Sequence, residues 1–126
     1  MYGVTPAIVL YARDPAVTRQ FYETVGLAFV EETHGDGPLH YACDFQGIAL
    51  EIYPLPSGRS AAACNTVALI FFVDRFDGVV AGLRAMDAKI GTVGVYVESA
   101  RLRAVNVRDP EGLLVRLLER DPSVVQ

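Results

Sequence analysis

The chain is written twice. Ala7-Ile8-Val9-Leu10-Tyr11-Ala12-Arg13-Asp14 and Ala68-Leu69-Ile70-Phe71-Phe72-Val73-Asp74-Arg75 are both apolar runs that lead into a polar helix start, and an amphipathic stretch follows each. Each half then closes on a Gly-led apolar run, Gly47-Ile48-Ala49-Leu50-Glu51-Ile52-Tyr53 and Gly112-Leu113-Leu114-Val115-Arg116-Leu117-Leu118. Such self-similarity constrains the fold before any local detail, because a repeated unit buries its apolar face against its copy. Two equal modules tend to face each other across a cavity, where residues at equivalent positions meet.

Local signals fill in the modules. Residues 6–12 read as a buried strand ended by Arg13-Asp14-Pro15, where Asp14 is a good N-cap and Pro15 suits the first helical position. Val17, Phe21 and Val25 recur at helical spacing with Tyr22 beside them, and Gly26 supplies the stop. Residues 27–32 are expected to resume as a strand. His34-Gly35-Asp36-Gly37-Pro38 is a turn by composition, and 39–45 and 48–54 form a hairpin across Gln46-Gly47. The second half repeats the order: a strand over 66–73, a helix over about 76–87, and strands near 93–98, 102–108 and 113–119, the last two joined by Asp109-Pro110-Glu111-Gly112. Glu111 reads as a turn residue only.

Composition sets the class. At 126 residues with 52% apolar content and no charge run, one ordered domain over 1–126 is expected. Its modules lie at about 4–55 and 64–120, with a joint over about 56–63. A net charge of -4 argues against nucleic acid as a partner. No apolar run reaches the roughly 18 residues of a spanning helix, so no membrane role is expected. Cys43 and Cys64 fit two buried thiols better than a disulfide framework, and a cytoplasmic location is the default.

The order βαβββ-βαβββ, the opening Asp14-Pro15-Ala16-Val17-Thr18-Arg19-Gln20-Phe21-Tyr22-Glu23, the exit Val25-Gly26-Leu27 and the closing Asp109-Pro110-Glu111-Gly112-Leu113 resemble the vicinal oxygen chelate superfamily. That group includes glyoxalase I, extradiol dioxygenases, bleomycin-resistance proteins and fosfomycin-resistance enzymes. The resemblance covers nearly the whole chain and implies an α+β fold of two βαβββ modules in tandem. It further implies a homodimer, with cavities in many members combining modules from two subunits. In the metal enzymes of this group, ligands sit on the first and fourth strands of each module. The matching positions here are Ala7, Glu51, Ala68 and Arg116, of which only Glu51 binds a divalent metal. Zinc, nickel or iron needs about three or four N, O or S donors, and a guanidinium repels the ion. Glu51 and Arg116 are therefore expected to pair, within one chain or between subunits, or to share an anionic ligand, while Ala7 and Ala68 enlarge the pocket. The alternative is that Arg116 points to solvent.

A second constellation follows from hairpin register. A two-residue turn at Gln46-Gly47 pairs Phe45 with Ile48 and Ala42 with Glu51, so His40, Ala42 and Asp44 share a face with Ala49, Glu51 and Tyr53. Tyr41, Cys43, Phe45, Leu50 and Ile52 form the opposite, helix-packing face. His40 and Glu51 then line one site as general base, polar anchors or two ligands of an unusual metal centre, against the blander reading of a hydrogen-bonded structural histidine. His34 is either a lid or an ordinary loop residue. Tyr53 alternates with Glu51 and offers a stacking surface, whereas Tyr11, Tyr41, Phe71, Phe72 and Tyr96 are mostly core filling. Arg101 and Arg103 reach an anion or lie on a solvated edge.

Two functions remain open. One is a metal-free protein that binds and sequesters a small organic molecule through Glu51, Arg116, His40, Tyr53, Ala7 and Ala68, as the resemblance to bleomycin-resistance proteins implies. The other is a glyoxalase- or dioxygenase-like enzyme with a divalent metal (nickel, zinc, manganese or iron) on His40 and Glu51. A dimeric scaffold with a vestigial cavity is a third, blander possibility.

Overall fold

The computed structural model describes residues 7–59, 68–96 and 99–120. Cys64 lies outside them, as do residues 6, 66, 67, 97 and 98 of the expected strands. The first module holds β1 (Ala7–Ala12), α1 (Pro15–Val25), β2 (Val30–Glu32), β3 (His40–Phe45) and β4 (Ile48–Pro54). The second holds β5 (Leu69–Val73), α2 (Phe76–Ala85), β6 (Lys89–Ile90), β7 (Gly94–Tyr96), β8 (Ser99–Arg108) and β9 (Leu114–Glu119). The sheets run β1-β4-β3-β2 and β5-β9-β8-β6, with β7 also paired to β8. In each, the first strand lies parallel to the last, with the rest antiparallel. No helix among the described residues is long and apolar enough to cross a membrane.

The local causes are those the sequence displays, with two departures. The Asp14 carboxylate accepts the Val17 N–H at 3.3 Å and Pro15 opens α1. At the far end Gly26, at φ 126°, donates to the Glu23 carbonyl and Leu27 donates to that of Tyr22, a closure that turns the chain off the helix axis. Leu27 to Phe29 carry that turn, so β2 starts at Val30 rather than 27. In the second module α2 stops at Ala85, ahead of Asp87 in the left-handed region at φ 58°. The extra short strand β6 then pairs with β8 before β7 does.

Strand alternation places the core. Leu10, Ala12, Leu50 and Ile52 of the first sheet and Leu69, Phe71, Val73, Val105, Val107, Val115 and Leu117 of the second are buried. They meet Phe21, Tyr22 and Val25 of α1 and Phe76, Val79, Val80 and Leu83 of α2 in one continuous cluster. The two helices face each other so closely that a Cβ on Gly82 would stand 3.0 Å from the Thr24 methyl. The opposite sheet faces point outward.

Polar clamps join the modules. The buried Tyr22 hydroxyl donates to Asp109 Oδ2 at 2.8 Å, and Asp109 Oδ1 accepts the N–H groups of Glu111 and Leu113. Burial raises the Asp109 carboxyl above its usual range, with the donated hydrogen bonds opposing that rise. Burial and the neighbouring Asp109 likewise raise the Tyr22 phenol. Glu111 is more than the expected turn residue. Its carboxylate accepts the Arg13 backbone N–H at 2.8 Å and the Arg13 Nε at 2.9 Å, tying the turn after β8 to the start of α1. Arg103 is likewise paired within the chain, at the surface, with Asp77 and Glu119.

Candidate functional site on the outer face of the first sheet

The β3–β4 turn fixes everything that follows. Gln46 and Gly47 both take positive φ, 52° and 84°, the turn whose twist matches a two-residue hairpin. Phe45 therefore pairs with Ile48 and Ala42 with Glu51, as the sequence predicts. Period two then puts His40, Ala42, Asp44, Ala49, Glu51 and Tyr53 on the outer face, with Cys43, Leu50 and Ile52 buried beneath. β1 extends that face, setting Ala7 beside Ala49, Val9 beside Glu51 and Tyr11 beside Tyr53. β2 sets Glu32 directly opposite His40.

His40 is only 1% exposed despite facing outward. Tyr53 stacks on its ring at 4.1 Å and 9°, and the His34 ring lies 5.0 Å away. Its Nδ1 stands 3.2 Å from the Pro38 carbonyl oxygen. A carbonyl only accepts, so Nδ1 carries a proton and donates. The other nitrogen, Nε2, lies 3.3 Å from Glu51 Oε1 and 3.4 Å from Glu32 Oε1, yet it is buried and makes no hydrogen bond. His34 Nε2 approaches the same Glu32 oxygen at 3.4 Å. One ligand atom from each of Glu32, His34 and His40 falls within 4.8 Å of the others. Tyr11 flanks Tyr53 at 6.5 Å between centroids. Partial burial first, then Glu51, raises the Tyr53 phenol, which keeps it a neutral donor. The arrangement offers two carboxylates, two imidazoles and an aromatic shelf.

The sequence places His40, Glu51 and Tyr53 together and leaves Glu32 out. His34 lies in the exposed loop after β2, with its ring against His40. Parity alone puts Glu32 on this face; its pairing with His40 depends on register across residues 33–39, which no local signal sets.

The expected Glu51–Arg116 pair does not form within the chain. Arg116 is exposed and donates from Nε to Asn106 Oδ1 at 3.0 Å, while Glu51 meets His40. The reason is strand parity: Leu50 and Ile52 point inward in one sheet, and Val115 and Leu117 in the other. Ala7 and Glu51 therefore lie on one outer face, and Ala68 and Arg116 on the other, with the core between them. The four positions also fail as a metal set on chemistry, since two methyl groups and a guanidinium supply no donor. A cleft of about 610 Å³ opens between the modules, lined by Phe45, Phe71, Phe72, Asp74, Arg75 and Arg120 among others; no expected site residue lines it.

Solved structures share this architecture. The chain is similar to an oxidase, ChaP-H2, at 17% identity, covering 98% of both chains with a TM-score of 0.70. It is similar to the bleomycin-resistance determinant of transposon Tn5 at 16% identity (94% of this chain, 99% of that one, TM-score 0.64). The fosfomycin-resistance protein FosX of Mesorhizobium loti matches at 13% identity (98% of this chain, 96% of that one, TM-score 0.64). No curated protein sequence matches significantly. Such identities carry the fold, whereas the family rests on the sequence itself: residues 5–117 match its profile, and the chain belongs to the Glyoxalase/Bleomycin resistance protein/Dioxygenase superfamily.

Proposed function

We propose that this chain binds a small organic molecule on the outer face of its first sheet, with no metal at the four positions the superfamily uses. The observation that carries the reading is the shelf of Tyr11 and Tyr53, backed by the buried His40, beside the half-buried Glu51. An apolar surface with a few convergent polar groups is what small-molecule recognition needs. Ala7 and Ala49 leave one end of the shelf free of bulk. Two carboxylates favour a planar ligand that carries a cation or a hydrogen-bond donor. The fold shared with bleomycin- and fosfomycin-resistance proteins supports a small organic ligand. Exposed Val9, Ile70 and Phe72 on the two outer faces support a homodimer that covers them; light scattering tests that state.

The chain has no tryptophan and 6 tyrosines, so tyrosine emission and thermal shift report ligand binding directly. A screen of planar cationic aromatics should give a hit weakened at least tenfold by Tyr53→Ala and by Glu51→Gln. A hit indifferent to both substitutions places binding elsewhere. The second reading, a metal-dependent enzyme of glyoxalase or dioxygenase type, is favoured by the convergence of His34 and His40 with Glu32 and Glu51.

A further inference from the structure

We propose that Glu32, His34 and His40 hold a divalent metal ion, at a site displaced from the superfamily's four positions and built wholly within the first module, with Glu51 beside it against His40. Its starting point is the orphaned His40 Nε2. The Pro38 carbonyl accepts from Nδ1–H, which leaves Nε2, buried and without a hydrogen bond, facing two carboxylate oxygens. In the neutral ring Nε2 carries a lone pair, repelled by carboxylate oxygens unless a cation lies between them. A charge-assisted hydrogen bond would bring these atoms to about 2.7–2.9 Å.

The observed separations are longer and nearly equal: 3.3 Å for His40–Glu51, 3.4 Å for His40–Glu32 and 3.4 Å for His34–Glu32. Two donors held tetrahedrally at about 2.1 Å from one ion stand about 3.4 Å apart. Donor chemistry agrees with the spacing. Two imidazoles and a carboxylate suit zinc, nickel, manganese or iron(II) and leave a coordination position open, and Glu51 adds a second negative charge beside the ion. The Nδ1–H bond to the Pro38 carbonyl is the outer-shell contact that orients a ligating histidine. Tyr53, stacked on the same ring, holds it in place. Parity and register put Glu32, His40 and Glu51 on one face, and the turn after β2 folds His34 over them.

The site stands independently of any organic ligand. The test is calorimetric titration of the chelator-stripped full chain with zinc, alongside cobalt(II) visible absorption to report imidazole coordination. One ion per chain is expected. His34→Ala, on an exposed side chain, and the isosteric Glu32→Gln should each weaken binding about 100-fold or more, because even outer-shell partners are worth about 10–100-fold. His40→Ala is read only where circular dichroism shows the native fold. Asp36→Asn, on an exposed acid of the neighbouring turn, should change nothing. Absence of saturable binding overturns the proposal, as does binding that survives either His34→Ala or Glu32→Gln within twofold. Metal binding without an organic ligand, or the reverse, separates this inference from the proposed function.

Discussion

Replacing Tyr22 with Phe deletes one oxygen and tests how the two modules are held together. Tyr22 is fully buried and Asp109 nearly so, and the phenol is the donor to Asp109 Oδ2 at 2.8 Å. Oδ1 keeps its two backbone donors, so the variant leaves one carboxylate oxygen in the interior without its partner. A hydrogen bond to a charged group is worth about 1.5–3 kcal/mol, and the ring packing against Phe21 and Phe71 is retained. The expected loss is about 2 kcal/mol, or roughly 6–10 °C in Tm for a chain of this size.

The loss should also depend on pH. The folded Asp109 carboxyl is already raised, with burial the main cause and the Tyr22 hydrogen bond opposing it. A raised group contributes stability that is greatest below its unfolded pKa and falls as pH rises through its folded value. Removing the phenol raises the folded value further, so the variant loses more at neutral pH and approaches the parent as Asp109 protonates. Urea denaturation at about pH 7, and again in the ordinary carboxylate range near pH 4, measures both. A loss under about 0.5 kcal/mol, or one that does not change with pH, would refute the reasoning.

Two further substitutions probe backbone and packing. Gly82→Ala gains about 1 kcal/mol of helix propensity but crowds the Thr24 methyl at 3.0 Å; the full gain should emerge in thermal melts only in a Thr24→Ala background, and additive behaviour of the pair would contradict the close contact. Arg75 opens α2 in the left-handed region at φ 54° with no side-chain cap. Arg75→Asn, which tolerates that conformation and can cap, should raise stability by about 0.5–1 kcal/mol; a lower Tm would show that the Arg75 side chain contributes more than its backbone strain removes.

The sequence by itself determined most features whose cause is local, the start of β2 and the end of α2 excepted. Asp14, Pro15 and Gly26 bound α1 because capping and helix termination involve neighbouring residues. Gln46-Gly47 sets the hairpin register because a two-residue turn leaves one pairing, so His40, Glu51 and Tyr53 were legible as a single face. The repeat announced two modules, and their parity marked the core. Only the tertiary structure decided what depends on contacts distant in sequence or on register across a longer connection. Glu32 joins His40 through the pairing of β2 with β3, and His34 reaches them by the path of the turn between. Tyr22 finds Asp109, and Arg13 finds Glu111, where the modules dock. Arg116 was separated from Glu51 for the same reason. Equivalent positions in a repeat share a face of their own sheets, but which faces look at each other is decided by packing of the modules, here helix against helix with the core between.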